Sequence, residues 1–195
     1  MNIEDYGFKN NYIKTENQIP ARILATYKNR YQIVCNNGEG FAQIKRGCYY
    51  DNPNSIYPTT GDFVLIEWND SGDSMIIETL KRESSFSRAA SSSDRKHELH
   101  NQHEQLVAAN FDYVFIMQSL NNNFNLHRIE RYLSLAWESG GVPVIILTKN
   151  DLVDNPQEYI NEVESVAIGV DIYSVSCKTG DGLDSIKKYF KKEIL

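Results

Sequence analysis

Two short loops carry the side chains best suited to holding a ligand. Thr148-Lys149-Asn150-Asp151-Leu152 directly follows the apolar run 142–147 (VPVIIL). Ser176-Cys177-Lys178-Thr179-Gly180 directly follows 171–175 (DIYSV). A carboxylate such as Asp151 can accept two parallel N–H bonds in a charge-assisted pair. The Lys149 stem can lie along a flat apolar surface while its ammonium stays polar. Ser176 can brace the aspartate or its own turn. Taken singly, each loop is a weak signal, and a polar turn with an acidic cap explains the first equally well. Their succession, with Asp151 and Ser176 25 positions apart at successive strand ends, is far more specific.

The elements that must position these loops are legible around them. Residues 113–117 (YVFIM) and 142–147 are continuous apolar runs, as expected of strands buried on both faces. Between them, Leu126, Ile129, Tyr132, Leu133 and Ala136 recur at helical spacing, with Asn125 placed as N-cap and Gly140 as stop. Asn155-Pro156-Gln157-Glu158 starts a helix running to about residue 167. After a strand at 171–175, Asp181 is placed to cap a last helix with the apolar face Leu183, Ile186, Tyr189 and Phe190. The order β-α-β-α-β-α predicts a parallel sheet with right-handed crossovers, and such sheets bind ligands at the carboxyl ends of their strands.

The first half has a different rhythm. Short β-type segments at 19–27, 31–35, 40–45, 63–68 and 74–80 alternate with turn signals, with no convincing helix. Lys28-Asn29-Arg30 is read as a tight hairpin turn. Five short strands fit a small β-barrel of OB type. The expected organisation is therefore a barrel over 1–83, a polar linker over 84–105 and an α/β domain over 106–195. The linker holds His97, His100 and His103. They could be read as metal ligands, but no Cys or well-placed carboxylate completes a set, and a solvated segment is the better reading. No metal site is assigned.

Composition narrows the function classes. The 195 residues are 41% hydrophobic and 11% aromatic, as in soluble globular proteins. Cys35, Cys48 and Cys177 are scattered, so neither a disulfide framework nor a zinc ribbon is suggested, and a reducing cytoplasm is expected. The start of the chain lacks the apolar run of a signal peptide. No apolar run approaches the roughly 20 residues that span a bilayer, and no membrane partner is expected. Net charge is −6, with ten Lys/Arg against eleven Asp/Glu in residues 1–90. Nucleic-acid binding would need a local basic face. Arg22, Lys28, Arg30, Lys45 and Arg46 are its candidates, with Tyr27, Tyr31 and Phe41 as possible stacking aromatics. Ordinary solvated strand faces and core aromatics remain the alternative.

The two loops together resemble the base-recognition motifs of the translation-factor class of GTPases. Guanine presents adjacent N–H donors on its ring nitrogen and exocyclic amine, which Asp151 would accept, and adenine offers no such pair. The resemblance makes Thr148, Lys149, Asn150, Asp151, Ser176, Cys177 and Lys178 the guanine-binding set, with a backbone N–H near Lys178 for the guanine carbonyl oxygen. Thr148 stands where most GTPases have asparagine and loses one amide contact. Cys177 replaces the common alanine.

The order is unusual, because no GxxxxGK[ST] precedes the base motif and no glycine in the chain is followed by lysine. A barrel followed by the base motifs resembles the circularly permuted, ribosome small-subunit-dependent GTPases (RsgA/YjeQ). The residues carrying the resemblance include Arg46-Gly47, Thr60-Gly61-Asp62, Phe86-Ser87-Arg88, Ala108-Ala109-Asn110-Phe111-Asp112, Asn121-Asn122-Asn123-Phe124-Asn125, Arg128-Ile129-Glu130-Arg131-Tyr132-Leu133 and Ala136-Trp137-Glu138-Ser139-Gly140, besides the two loops.

The resemblance implies binding and hydrolysis of GTP, giving GDP, with Mg²⁺. It also implies an rRNA-binding OB barrel, a C-terminal Zn²⁺ domain, and action on the small ribosomal subunit late in its maturation. A monomer is expected. Because the phosphate loop, Mg²⁺ ligands and zinc ligands of that family have no counterpart here, the sequence is read as a truncated form with no catalytic residue, inactive alone. A nucleotide-independent RNA- or ribosome-binding module, and a protein whose base loops are vestigial, are the other readings.

Overall fold

The computed structural model describes residues 2–9, 18–50, 55–89 and 104–190. The chain forms two compact units, Met1–Phe111 and Asp112–Leu195.

In the first unit, β1 (Ile19–Thr26), β2 (Tyr31–Cys35), β3 (Gly38–Ile44), β4 (Phe63–Glu67) and β5 (Ser74–Thr79) close into a barrel in the order β1-β2-β3-β5-β4. β4 returns antiparallel to β1, and β3 runs parallel to β5, which is the OB arrangement. The Lys28-Asn29-Arg30 turn is tight: Thr26 faces Tyr31, and the Tyr27 N–H donates to the Arg30 carbonyl at 2.8 Å. Alternate residues fill the interior, with Ala21, Ile23, Ile33, Cys35, Ala42, Val64, Ile66 and Ile76 all buried. Leu65 on β4 belongs to a second cluster, where Ile3 and Phe8 from the chain start pack against it and Leu80. A short helix, α1 (Arg46–Tyr50), follows β3 where sequence periodicity shows none. Five residues are too few for a helical period to register.

The ends of the expected linker are strands. β6 (Ser85–Ala89) pairs antiparallel with β7 (Glu104–Ala109). The expectation of a polar linker from residue 84 rests mainly on Ser91-Ser92-Ser93 and the histidines, which lie outside the described residues. His97, His100 and His103 lie outside the described residues. The first unit thus continues past residue 83 to Phe111.

Asn110 holds this end in the left-handed region at φ 53°. Its Oδ1 accepts the Glu83 N–H at 2.9 Å, and its Nδ2 donates to the Gly61 carbonyl at 3.2 Å. Gly61, at φ 90°, has no room for a side chain, because a Cβ there would lie 2.0 Å from the Ala109 carbonyl oxygen. Beside it the fully buried Asp62 receives Arg82 through Nε at 2.8 Å and Nη2 at 2.7 Å, and the Thr59 N–H at 2.8 Å. The residues 60–62 and 108–111 that carry the resemblance are therefore joints of this unit.

The second unit contains β8 (Tyr113–Ser119), α2 (Leu126–Glu138), β9 (Val142–Thr148), α3 (Pro156–Glu164), β10 (Asp171–Val175) and the short α4 (Leu183–Ile186). Its strands form a parallel sheet in the order β10-β9-β8. Asn125 caps α2 by accepting the Arg128 N–H at 2.9 Å, and Gly140 ends it at φ 83°. Ile129, Leu133 and Ala136 of α2 and Val163 of α3 cover Ile116, Ile145 and Leu147. Leu183 and Ile186 of α4, with Tyr189, pack on Val144, Ile146 and Val175. β9 is thus buried on both faces, each aliphatic side chain contributing roughly 1.5–3 kcal/mol. Asn155 stands at the N-cap of α3 but makes no cap bond, donating instead to Glu158 at 2.8 Å. No helix among the described residues is long and apolar enough to cross a membrane.

Candidate functional site

β9 and β10 are neighbours in register, with Thr148 opposite Val175, so the loops that follow them leave the sheet side by side. The first loop turns sharply. Lys149 adopts the left-handed region at φ 60°, and Asn150–Leu152 form a 3₁₀ turn in which the Leu152 N–H donates to the Lys149 carbonyl at 3.1 Å. Such a conformation is uncommon for a residue with a side chain and marks a turn fixed by its surroundings. It sets Asp151 facing the second loop.

Ser176 is fully buried, and its hydroxyl donates to Asp151 Oδ1 at 2.6 Å. The same Oγ accepts the backbone N–H groups of Lys178 at 3.2 Å and Thr179 at 3.3 Å. The loop closes on itself, with the Ser176 N–H donating to the Asp181 carbonyl and the Gly180 N–H to the Ser176 carbonyl, each at 2.9 Å. Gly182, at φ 70°, passes so close to β10 that a Cβ would lie 2.1 Å from the Ser174 carbonyl oxygen. Lys178 Nζ stands 3.6 Å from Asp151 Oδ2, with its own side chain 80% exposed and that of Asp151 only 13%.

The Ser176 hydroxyl holds the Asp151 carboxyl below the usual carboxylate range, partial desolvation opposes this, and Lys178 adds to the lowering. The depressed value means the ionised form favours the fold above the ordinary aspartate range. That contribution disappears as pH falls through the depressed value. Ser176→Ala is accordingly expected to move Asp151 titration upward, toward the ordinary value of about 3.9. Carboxyl-carbon NMR across acidic pH reads this, and an unmoved midpoint would contradict the assignment of cause.

Of the residues singled out in sequence, the structure brings Asp151, Ser176 and Lys178 together. Asn150 is buried and turned toward Asp181, donating from Nδ2 to Oδ2 at 2.6 Å. Asp181 is therefore not the cap of the last helix, because Gly182 occupies that position. An acid between two glycines gave no sign of this partner. Thr148 ends β9, and its carbonyl accepts the Leu120 N–H at 2.8 Å. Lys149 and Cys177 are exposed.

Three of the five barrel candidates, Arg22, Arg30 and Lys45, are engaged by neighbouring groups. Arg22 is half-buried, donating to the carbonyls of Tyr6 and, at 2.9 Å, Asn110, with its guanidinium 5.1 Å from the Phe63 ring. Lys45 pairs with Glu67 at 2.7 Å. Arg30 lies 3.8 Å over the Phe41 ring and grips Asp73 through Nε and Nη2. Lys28 and Arg46 are exposed. Tyr27 is 55% exposed beside Phe41, whereas Tyr31 packs against the barrel core.

Comparison with known proteins matches this architecture. The model of the RsgA GTPase family matches residues 80–195. The small ribosomal subunit biogenesis GTPase RsgA 2 of Listeria monocytogenes is 39% identical over 98% of this chain and 52% of its own length. RsgA 1 of Listeria innocua is 40% identical with the same coverage. The chain thus spans about half the length of these curated relatives. The crystal structure of YjeQ from Thermotoga maritima superposes with a TM-score of 0.69 at 22% identity, covering 89% of this chain and 57% of that one. YloQ, a circularly permuted GTPase, does so with 0.63 at 19% identity, covering 93% and 60%. With an OB barrel followed by a parallel-sheet unit, and with that family match over its second half, the chain belongs to the RsgA GTPase family.

Proposed function

We propose that this chain is the barrel and guanine-recognition half of a GTPase serving biogenesis of the small ribosomal subunit. The carrying observation is the Ser176–Asp151–Lys178 arrangement on adjacent loops. Ser176 holds one carboxylate oxygen, so the carboxylate is oriented before any ligand arrives. The ring N–H and exocyclic amine of guanine then supply two donors to Asp151, with Lys178 moving off Oδ2. The exposed Lys149 lies along the base, and the backbone of the Cys177–Lys178 turn meets the guanine carbonyl oxygen. Thr148 and Asn150 act on the backbone side of the site rather than on the base.

Phosphoryl transfer needs positioned phosphates and a metal ion. Among the described residues no group of three or more His, Cys, Asp or Glu is placed to hold a metal. We expect the 195-residue chain to bind GDP and GTP with similar weak affinity, to prefer them over ADP, and to turn over no GTP by itself. Heteronuclear NMR titration with GDP and ADP, together with phosphate release from GTP, is the test. Equal shifts from both nucleotides would refute guanine recognition, and turnover above a Lys149/Asp151 double variant would refute the inactivity.

A second reading, RNA binding by the barrel without nucleotide, has one observation in its favour. Arg30, stacked on Phe41 and held by Asp73, lies beside the exposed Tyr27 and offers an aromatic and guanidinium surface for unpaired bases. Salt-dependent binding to small ribosomal subunits, weakened by Tyr27→Ala, supports it. Unchanged binding after that substitution counts against it.

A further inference from the structure

We infer that Asn150 and Asp181 form a clamp that sets the Asp151 carboxylate for guanine, which makes both of them positioning residues. This rests on the proposed guanine site and deepens it. Asn150 lies inside the first loop, between Lys149 and Asp151, yet its side chain is turned away from that face. It is 8% exposed, and its amide donates to Asp181 at 2.6 Å. Asp181 is the closing residue of the second loop: its carbonyl accepts the Ser176 N–H at 2.9 Å, and its N–H donates to Thr179 Oγ1 at 3.3 Å.

Two cross-links therefore join the loops from consecutive residues of the first: Asn150 to Asp181, and Asp151 to Ser176. The second fixes one oxygen of the guanine acceptor but depends on where the Ser176 turn sits. The first fixes that turn. Gly180 and Gly182, both left-handed, bracket Asp181, and the close approach of Gly182 to Ser174 confines the path of the loop. An amide-to-carboxylate bond of this length is charge-assisted and directional, which suits a part that must hold an angle. Without it the second loop is tethered to the first through the Asp151 carboxylate, by the Ser176 hydroxyl and the exposed Lys178, and the carboxylate follows the turn as it moves.

The consequence is specific to base reading. Inosine diphosphate keeps the ring N–H of guanine and lacks the exocyclic amine. The preference for GDP over inosine diphosphate therefore reports how squarely Asp151 meets both donors. Asn150→Ala and Asp181→Ala are each expected to weaken GDP about tenfold, the scale of one charge-assisted bond. Inosine diphosphate should weaken less, so the preference collapses. Asp181→Asn, which keeps an acceptor oxygen without the charge, should fall between. The exchange Asn150→Asp/Asp181→Asn reverses the bond and should restore both affinity and preference. Titrations are made on the full chain by NMR, below the melting temperature of each variant.

Single variants that melt earlier but keep the wild-type GDP preference would overturn the clamp, as would an exchange that restores nothing. Should either alanine variant fail to fold, Asp181→Asn and the exchange decide the question by the same preference. A wild-type chain that does not distinguish GDP from ADP would instead overturn the guanine reading on which the clamp rests.

Discussion

Asp151→Ala is expected to lower guanine-nucleotide affinity by about two orders of magnitude and to leave adenine-nucleotide affinity where it was. Two charge-assisted bonds to the base are lost, each contributing roughly 1.5–3 kcal/mol. Each 1.4 kcal/mol is about tenfold, and releasing Lys178 from Oδ2 offsets part of the loss. The second loop should survive the substitution. Ser176 Oγ still accepts the N–H groups of Lys178 and Thr179, and its backbone still closes on Asp181. Chemical-shift titration of both chains with GDP and ADP checks this. A variant that binds GDP as the wild type does would remove Asp151 from the site.

The largest stability effect belongs to the barrel unit. Arg82→Ala leaves the fully buried Asp62 carboxylate without its two guanidinium bonds, and the Thr59 N–H alone cannot replace them. Breaking a buried pair from one side costs about 3–5 kcal/mol, a large share of the 5–15 kcal/mol that usually holds a protein folded. Urea denaturation followed by barrel tyrosine fluorescence measures it. Replacing both partners with apolar residues, Asp62→Leu/Arg82→Met, should cost less than the single change, because no lone charge remains buried. A single-variant loss below about 1 kcal/mol, the scale of a surface pair, would contradict the account.

The frame of both units is legible in the sequence because burial repeats along the chain. The run VPVIIL is apolar at every position because β9 has helices on both faces. The barrel strands alternate because one side of each faces the interior, and the five strands fall within a residue or two of the expected ends. Cap chemistry is partly legible. Asn125 caps α2 as its position suggests, whereas Asn155 and Asp181 find side-chain partners instead.

What the sequence hides is partnership across distance. Arg22 carries the look of a basic surface residue, yet it anchors Tyr6 and Asn110, the latter 88 positions away. Lys45 is neutralised by Glu67. The stretch 84–105 reads as linker because polarity signals a connection whether or not the backbone pairs at its ends. In the candidate site, residue types and order single out Asp151 and Ser176, which the fold places 2.6 Å apart. The bond from Asn150 to Asp181 is not legible, because nothing in the neighbours of either residue names the other as its partner.

If Asp151 reads a purine by accepting two donors, inverting the donor pattern of both partners should invert the preference. Xanthine carries a carbonyl oxygen where guanine has its exocyclic amine. Asp151→Asn replaces one acceptor with an N–H donor and so matches xanthine. Titrating the wild-type chain and this variant with GDP and xanthosine diphosphate is predicted to show GDP preferred by the first and xanthosine diphosphate by the second. The same preference in both chains, or binding of neither nucleotide by either, would contradict it.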